Sequence, residues 1–167
     1  MSPVPHRPPR GFTLIEIIVV LAILGILAVI AVPSIQARLV REQIVEATKL
    51  ADVAKPPIAA AWAASAAMPA DNEDAGLPVA EKIVGTYVSA VTVENGAIHV
   101  TFGNSANGAI KGRVLTLRPA VVPDTPLVPV AWVCAGGRVP DKVVVQGTDR
   151  TDLQDLYLPL NCRQTKD

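Results

Sequence analysis

Gly11–Pro33 reads GFTLIEIIVVLAILGILAVIAVP, and this stretch decides what kind of chain this is. From Phe12 to Val32 it is almost wholly apolar, with Thr13 and Glu16 as its polar members. About 20 apolar residues in a helix cross the hydrocarbon core of a bilayer. The residues before it, MSPVPHRPPR, are basic and carry prolines at positions 3, 5, 8 and 9. Proline removes backbone donors and clashes with the preceding turn, so this start does not form a helix. Its positive charge favours the cytoplasmic side of a membrane. Beyond Val40 the sequence is an ordinary mixture of polar and apolar residues. A membrane-length segment is therefore joined to one water-exposed domain of about a hundred residues.

Three readings of the apolar run compete. A secretory signal peptide places small residues at a cleavage site after the run, and AVPS (31–34) meets that weakly. A plain membrane anchor fits the length. Neither accounts for Glu16, because a carboxylate in such a segment costs on the order of 2.5–3.5 kcal/mol at the bilayer centre and less near its edge.

The third reading gives Glu16 a partner. Gly11-Phe12-Thr13-Leu14-Ile15-Glu16, after a basic leader and before an unbroken apolar run, resembles the processing site of type IV prepilins. The resemblance implies cleavage between Gly11 and Phe12 by a membrane aspartyl protease, which then methylates the new amine of Phe12. It also implies that Glu16 neutralises the positive N-terminus of a neighbouring subunit. Two unit charges about 4 Å apart at an effective dielectric of about 20 attract by roughly 4 kcal/mol before desolvation. The short leader and Phe12 resemble the IVa class. The segments are then a leader (1–11), an apolar membrane and filament-core helix (12–33), an amphipathic continuation (34–67) and a connecting loop (68–80). A sheet (81–137) and a C-terminal D-region (135–167) follow.

Gly25 and Pro33 are the weak points of the long helix, since proline inside a helix removes a backbone bond and kinks it. In the family, a segment between an equivalent glycine and proline locally unwinds on assembly. Beyond Pro33, Ile35, Leu39, Ile44, Ala47, Leu50, Ala51 and Ala54 form an apolar stripe. Charged residues fill the remainder, with i,i+4 support such as Arg38–Glu42. They form a solvated face on one reading; the resemblance adds contacts from Arg41 and Glu46 to neighbouring subunits. Pro56-Pro57 ends or bends the helix near Lys55, and the alanine-rich stretch after it resumes the helix. Met68–Pro78 is loop by composition. Its cluster Asp71, Asn72, Glu73, Asp74 lacks the ligand spacing of an EF-hand and reads as a solvated acidic loop.

Asn95-Gly96 between two β-rich runs is the signature of a type I′ hairpin. Pairing Glu94 with Ala97 sets Val93 opposite Ile98, Val91 opposite Val100 and Ser89 opposite Phe102, on one face with Tyr87. Val88, Ala90, Thr92, His99 and Thr101 fall on the other, more polar face, where His99 has no metal or catalytic role. Gly112–Val122 and Pro129–Gly137 read as third and fourth strands. The fold class is α+β: a long N-terminal helix packed on a four-stranded antiparallel sheet.

Cys134 and Cys162 are the only cysteines. An even count behind an export-type N-terminus favours a disulfide over two buried thiols. Closing a loop of about 29 residues stabilises a domain by roughly 3–4 kcal/mol on the chain-entropy argument. Trp132-Val133-Cys134 and Leu158-Pro159-Leu160-Asn161-Cys162 again resemble IVa pilins, in which two such cysteines close the D-region.

Lys and Arg together equal Asp and Glu at 15 each, and loss of Arg7 and Arg10 with the leader makes the mature chain slightly acidic. No basic block marks a nucleic-acid binder. No phosphate-binding GxxxxGK[ST], GxSxG or HExxH motif is present, Asp152 and Asp155 are a weak carboxylate pair, and no cofactor or metal is implied. The resemblance makes the chain a structural subunit that polymerises with its own kind, for adhesion, twitching motility or DNA uptake. Its partners would be the prepilin peptidase/methyltransferase, an inner-membrane assembly platform and the membrane itself. The precursor sits in the inner membrane of a Gram-negative bacterium and the product is extracellular. A minor pilin, a type II secretion pseudopilin and an anchored binding module are the alternatives. Aromatics make up only 4% of the chain and, after Phe12, are absent from the apolar helix, which argues against electron conduction along stacked rings.

Overall fold

Helical periodicity runs from the apolar segment into the polar one, and the first helix, α1, accordingly extends over Leu14–Ala51. The computed structural model describes residues 11–164, without the side chains of Val32, Pro33 and Ser34. Residues 1–10, which hold most of the expected leader, and the terminal 165–167 lie outside that range. Two compact units divide the chain, one ending at Gln36 and one beginning at Ala37. α1 belongs to both.

In the second unit α1 buries Ala37, Val40, Ile44, Ala47 and Ala51, and the same rhythm continues through Ala54, Ile58 and Trp62. Steps of three and four residues keep one face toward the core. Ile35 and Leu39, expected in the stripe, are instead 56% and 52% exposed. They are off the phase that Ala37 and Val40 set. Small alanines make up much of this inner face.

The helix breaks at Asp52–Ala54, slightly ahead of the expected point, and resumes as α2, Lys55–Ser65. Pro56 and Pro57 stand in the first turn of α2, where missing N–H groups are tolerated. They cannot donate to the carbonyls of Asp52 and Val53, so α1 closes instead with tight bonds. Asp52, Val53 and Ala54 donate to Lys49, Leu50 and Ala51 at 3.0–3.3 Å. Ala66, with φ 52°, ends α2 by donating to the Trp62 carbonyl.

Four antiparallel strands follow in sequence order: β1 Val88–Glu94, β2 Ala97–Phe102, β3 Val114–Val121 and β4 Ala131–Cys134. Asn95 and Gly96 both have positive φ, 48° and 79°, as the hairpin turn requires. The expected register holds from Glu94↔Ala97 to Val91↔Val100, and then a bulge intervenes. Val88, not Ser89, opposes Phe102, and Val88 is buried on the core face. Ser89 is the extra residue of the bulge. A Cβ on Gly103 would lie 2.5 Å from the Ser89 Cβ, so this glycine makes room for it.

A fifth strand departs from the four-stranded expectation. β5, Val144–Val145, pairs with Val121 and Ala120 of β3. Ala120 also pairs with Ala131 of β4, so β5 lies on the β2 side of β3, beyond the end of β2. The core lies between the helices and one sheet face, with Ile44, Ile58, Val91, Ile98, Phe102 and Leu115 essentially inaccessible.

Candidate functional site

The N-terminal unit offers its chemistry at the start of α1. Gly11 and Phe12 are exposed, Phe12 by 78%. Thr13 sits immediately before the helix, and its Oγ1 accepts the Glu16 N–H at 3.3 Å. Glu16 Oε2 in turn accepts the Thr13 N–H at 3.4 Å. This reciprocal pair is a capping box, which satisfies helix-terminal donors and places a carboxylate at the positive end of the helix dipole. The reading of Glu16 as a charge partner missed this local role, although Thr13-x-x-Glu16 ahead of an apolar run is its sequence signal.

Past Glu16 no described side chain of the run carries a charge. Large apolar residues from Phe12 to Ile30 are 46–79% exposed. An unbroken apolar surface of this length is stable in lipid or against other apolar helices. Gly25 has open space where a Cβ would stand. Helical backbone continues through Gly25 and Pro33.

In the second unit, exposed Arg38 and Glu42 pair at 3.2 Å, as the spacing predicted. Arg41 is used within the chain: its Nε donates to the Leu156 carbonyl at 3.1 Å. Arg163 holds the same C-terminal stretch, donating to Leu158 at 2.9 Å. Glu46 borders a concavity of about 330 Å³ shared with Leu50 and Tyr87, and another of about 340 Å³ shared with Arg38 and Arg41.

Cys134 and Cys162 form the disulfide that closes the C-terminal region. Gly137 approaches so closely that a Cβ would meet the Asn161 carbonyl, which ties the two ends of the loop together. Inside it the chain crosses the outer sheet face. Gln146 N–H donates to Pro119 on the β2 side of β3, while Asp152 N–H donates to Val114 on the β4 side. Asp152, one of the two carboxylates considered for chemistry, serves structure. Its Oδ1 accepts the Val114 N–H at 2.6 Å and its Oδ2 faces Arg113 at 3.3 Å.

His99 lies on the polar face as expected, yet it is only 4% exposed, because this crossing segment covers it. In the acidic loop, Asp71 and Asp74 cap local N–H groups, and Asn72 turns inward. Among the described residues no three His, Cys, Asp or Glu side chains gather as a metal site would require.

Two family profiles match this chain. One, described as a prokaryotic N-terminal methylation motif, covers residues 7–32. The other, described as pilin (bacterial filament), covers residues 40–163. A fimbrial protein of Neisseria meningitidis serogroup B is 32% identical over 95% of this chain and 96% of its own length. The type IV major pilin protein PilE of Neisseria gonorrhoeae is 34% identical over 95% and 96%. The fimbrial protein EcpC of Eikenella corrodens is 39% identical over 92% and 90%.

Proposed function

This chain belongs to the type IV pilin family and is a structural pilus subunit, and on that premise we propose that it polymerises through Phe12–Pro33 into a surface filament. The observation that carries this reading is the exposed apolar face of the N-terminal unit, headed by one carboxylate. Before assembly that face is solvated by lipid, with the head in the periplasm. A prepilin peptidase cuts between Gly11 and Phe12 and methylates Phe12, and an inner-membrane platform feeds subunits into the filament. Transfer from lipid to a helix bundle costs little, because both surroundings are apolar.

Glu16 steers that transfer. Its carboxylate faces the amine of a neighbouring Phe12 in the bundle, where an unpaired charge of either sign would be costly. Gly25 and Pro33 give the helix its weak segment. Glu46, beside two concavities, is a contact for an adjacent subunit, whereas Arg41 holds the D-region and meets a neighbour only with its remaining donors. The designation of relatives as major pilins supports a major subunit, serving adhesion, twitching motility or DNA uptake. A scaffold role rather than catalysis fits the structural tasks found for Asp152.

The test is intact mass and N-terminal sequence of protein sheared from the native bacterium, for wild type and Glu16→Gln. Wild type is expected to begin at N-methyl-Phe12 and to be lighter by two hydrogens for the disulfide. Glu16→Gln is expected to be cleaved and folded but absent from the sheared fraction. A chain that keeps its leader and stays in the membrane would make an anchored domain the better reading. Normal filaments from Glu16→Gln would remove the charge pair.

A further inference from the structure

The outer face of the sheet buries a titratable side chain that filament assembly does not use. His99 of β2 has its Nδ1 2.9 Å from Thr116 Oγ1 on β3. Its Nε2 stands 3.2 Å from Glu94 Oε2 at the end of β1, off the line of a good hydrogen bond. The chain crossing above it is fastened to the strands on both sides. Arg150 N–H donates to Thr116 Oγ1 at 3.0 Å, and Thr116 N–H donates to Thr151 Oγ1 at 3.0 Å. Arg150 Nη2 donates to Glu94 Oε1 at 2.6 Å. Asp149 accepts the Thr151 N–H at 2.9 Å and stands 4.0 Å from Arg118.

These bonds, with the Glu94 carboxylate facing Nε2, favour one placement of the ring proton. Thr116 Oγ1 already accepts from Arg150, so its own hydrogen is free to point at His99 Nδ1. Nδ1 is then the acceptor and Nε2 carries the proton, facing Glu94. That is the neutral ring. A second proton would go on Nδ1 and turn an acceptor into a donor against a hydroxyl, which must swing its hydrogen away. It would also place a positive charge in a nearly dry site beside Arg150.

We propose that the crossing of Asp149–Thr151 over the sheet is a pH-sensitive clasp, held shut by neutral His99 and loosened when the ring is protonated. Burial and then Arg150 pull the His99 pKa below its ordinary 6.5, partly countered by Glu94 and Asp149. A base with a depressed folded pKa stabilises the closed state fully above 6.5. The contribution declines as pH falls from 6.5 toward the folded value and is gone below it. Opening the crossing returns the ring to water and to its ordinary pKa, so acid favours the open form. The D-region would then present a different outer surface well below pH 6.5 than above it.

The test is amide hydrogen exchange of the full chain in detergent micelles between pH 7.5 and 5.0, corrected for intrinsic rates. Protection at Arg150 and Thr116 is expected to fall several-fold across this range in wild type, while amides around Val100 hold. In His99→Gln the same amides are expected to show no such pH dependence. Constant protection in wild type, or an equal fall in His99→Gln, overturns the clasp. Should His99→Gln not fold, ring nitrogen NMR of wild-type His99 decides. A neutral ring at pH 7.5 protonated on Nε2, with a pKa below 6.5, supports the clasp. A proton on Nδ1, or a pKa at or above 6.5, overturns it.

Discussion

Asn72 shows how one side chain closes an exposed sheet edge. β1 is an edge strand, and its outward N–H and C=O groups would otherwise be open to pairing with another chain. Asn72 Oδ1 accepts the Val93 N–H at 2.7 Å, and its Nδ2 donates to Val91 and Pro78 carbonyls at 3.0 and 2.9 Å. The amide thus imitates a neighbouring strand for one residue. Asn72→Ala leaves buried groups unpaired at about 1–3 kcal/mol each, so the head should lose about 2–4 kcal/mol. Urea unfolding should show a lower midpoint with an unchanged slope; a loss under about 0.5 kcal/mol would mean that the edge is satisfied some other way. The acidic residues around Asn72 were legible as a solvated loop because charge alone keeps them out. Asn72 was not, because its role depends on a strand about twenty residues further on, and composition carries no such distance. Glu16 stood out by contrast, since a lone carboxylate in an apolar run is costly without a partner, but the capping box that it forms with Thr13 went unread.

Among the elements, the hairpin and the long helix show how far periodicity reaches. Alternation gave the right partners from Glu94 to Val91 because each strand independently marks one apolar face. It failed at Ser89, since a bulge adds one residue without changing composition and shifts every later side chain to the opposite face. The pair Ser89–Gly103 is the trace that this bulge leaves in the sequence. Gly103→Ala would press its methyl against Ser89 Cβ and Oγ, at 2.5 and 2.6 Å without adjustment. Crowding of this kind costs typically 1–3 kcal/mol. Ser89→Gly removes both offending atoms, so the double variant should recover about 1 kcal/mol or more relative to additivity. Equal and additive losses in a double-mutant cycle would show that the strain is relieved elsewhere. On α1 the apolar stripe was off phase only at its start, where Ile35 and Leu39 were read in place of Ala37 and Val40; Ile44, Ala47, Ala51 and Ala54 are buried as expected. The face that meets the sheet is marked by Ala37, Ala47, Ala51 and Ala54 as much as by Val40 and Ile44. Ile35 and Leu39 remain exposed in the single chain, which suits a helix that meets further subunits.

At the scale of the whole molecule, the sequence revealed the two ends better than the path between them. Cysteine count and the export-type start foretold a closed C-terminal loop, but not that the loop crosses the sheet and buries His99, because no local pattern records a crossing. The division of labour is sharper in the structure than in the sequence. Every buried apolar residue among those described lies at Ala37 or beyond, and the large apolar residues from Phe12 to Ile30 all remain exposed. Hydrophobic stabilisation follows area removed from water, so the large apolar residues from Phe12 to Ile30 add little to the folding of the head. A chain beginning at Ala37 should therefore be soluble and unfold in one transition, as small single domains do. Its stability should match that of the full chain in detergent to within about 1 kcal/mol, the difference being new unsatisfied N–H groups at the cut helix end. It should not form filaments at any concentration that keeps it folded, because the apolar surface that would hold them is gone. Denaturant unfolding and sedimentation of the two chains side by side test both halves of this claim. Filaments from the shortened chain would move polymerisation into the head, and a loss of several kcal/mol would mean that the N-terminal unit is part of the fold rather than only its means of assembly.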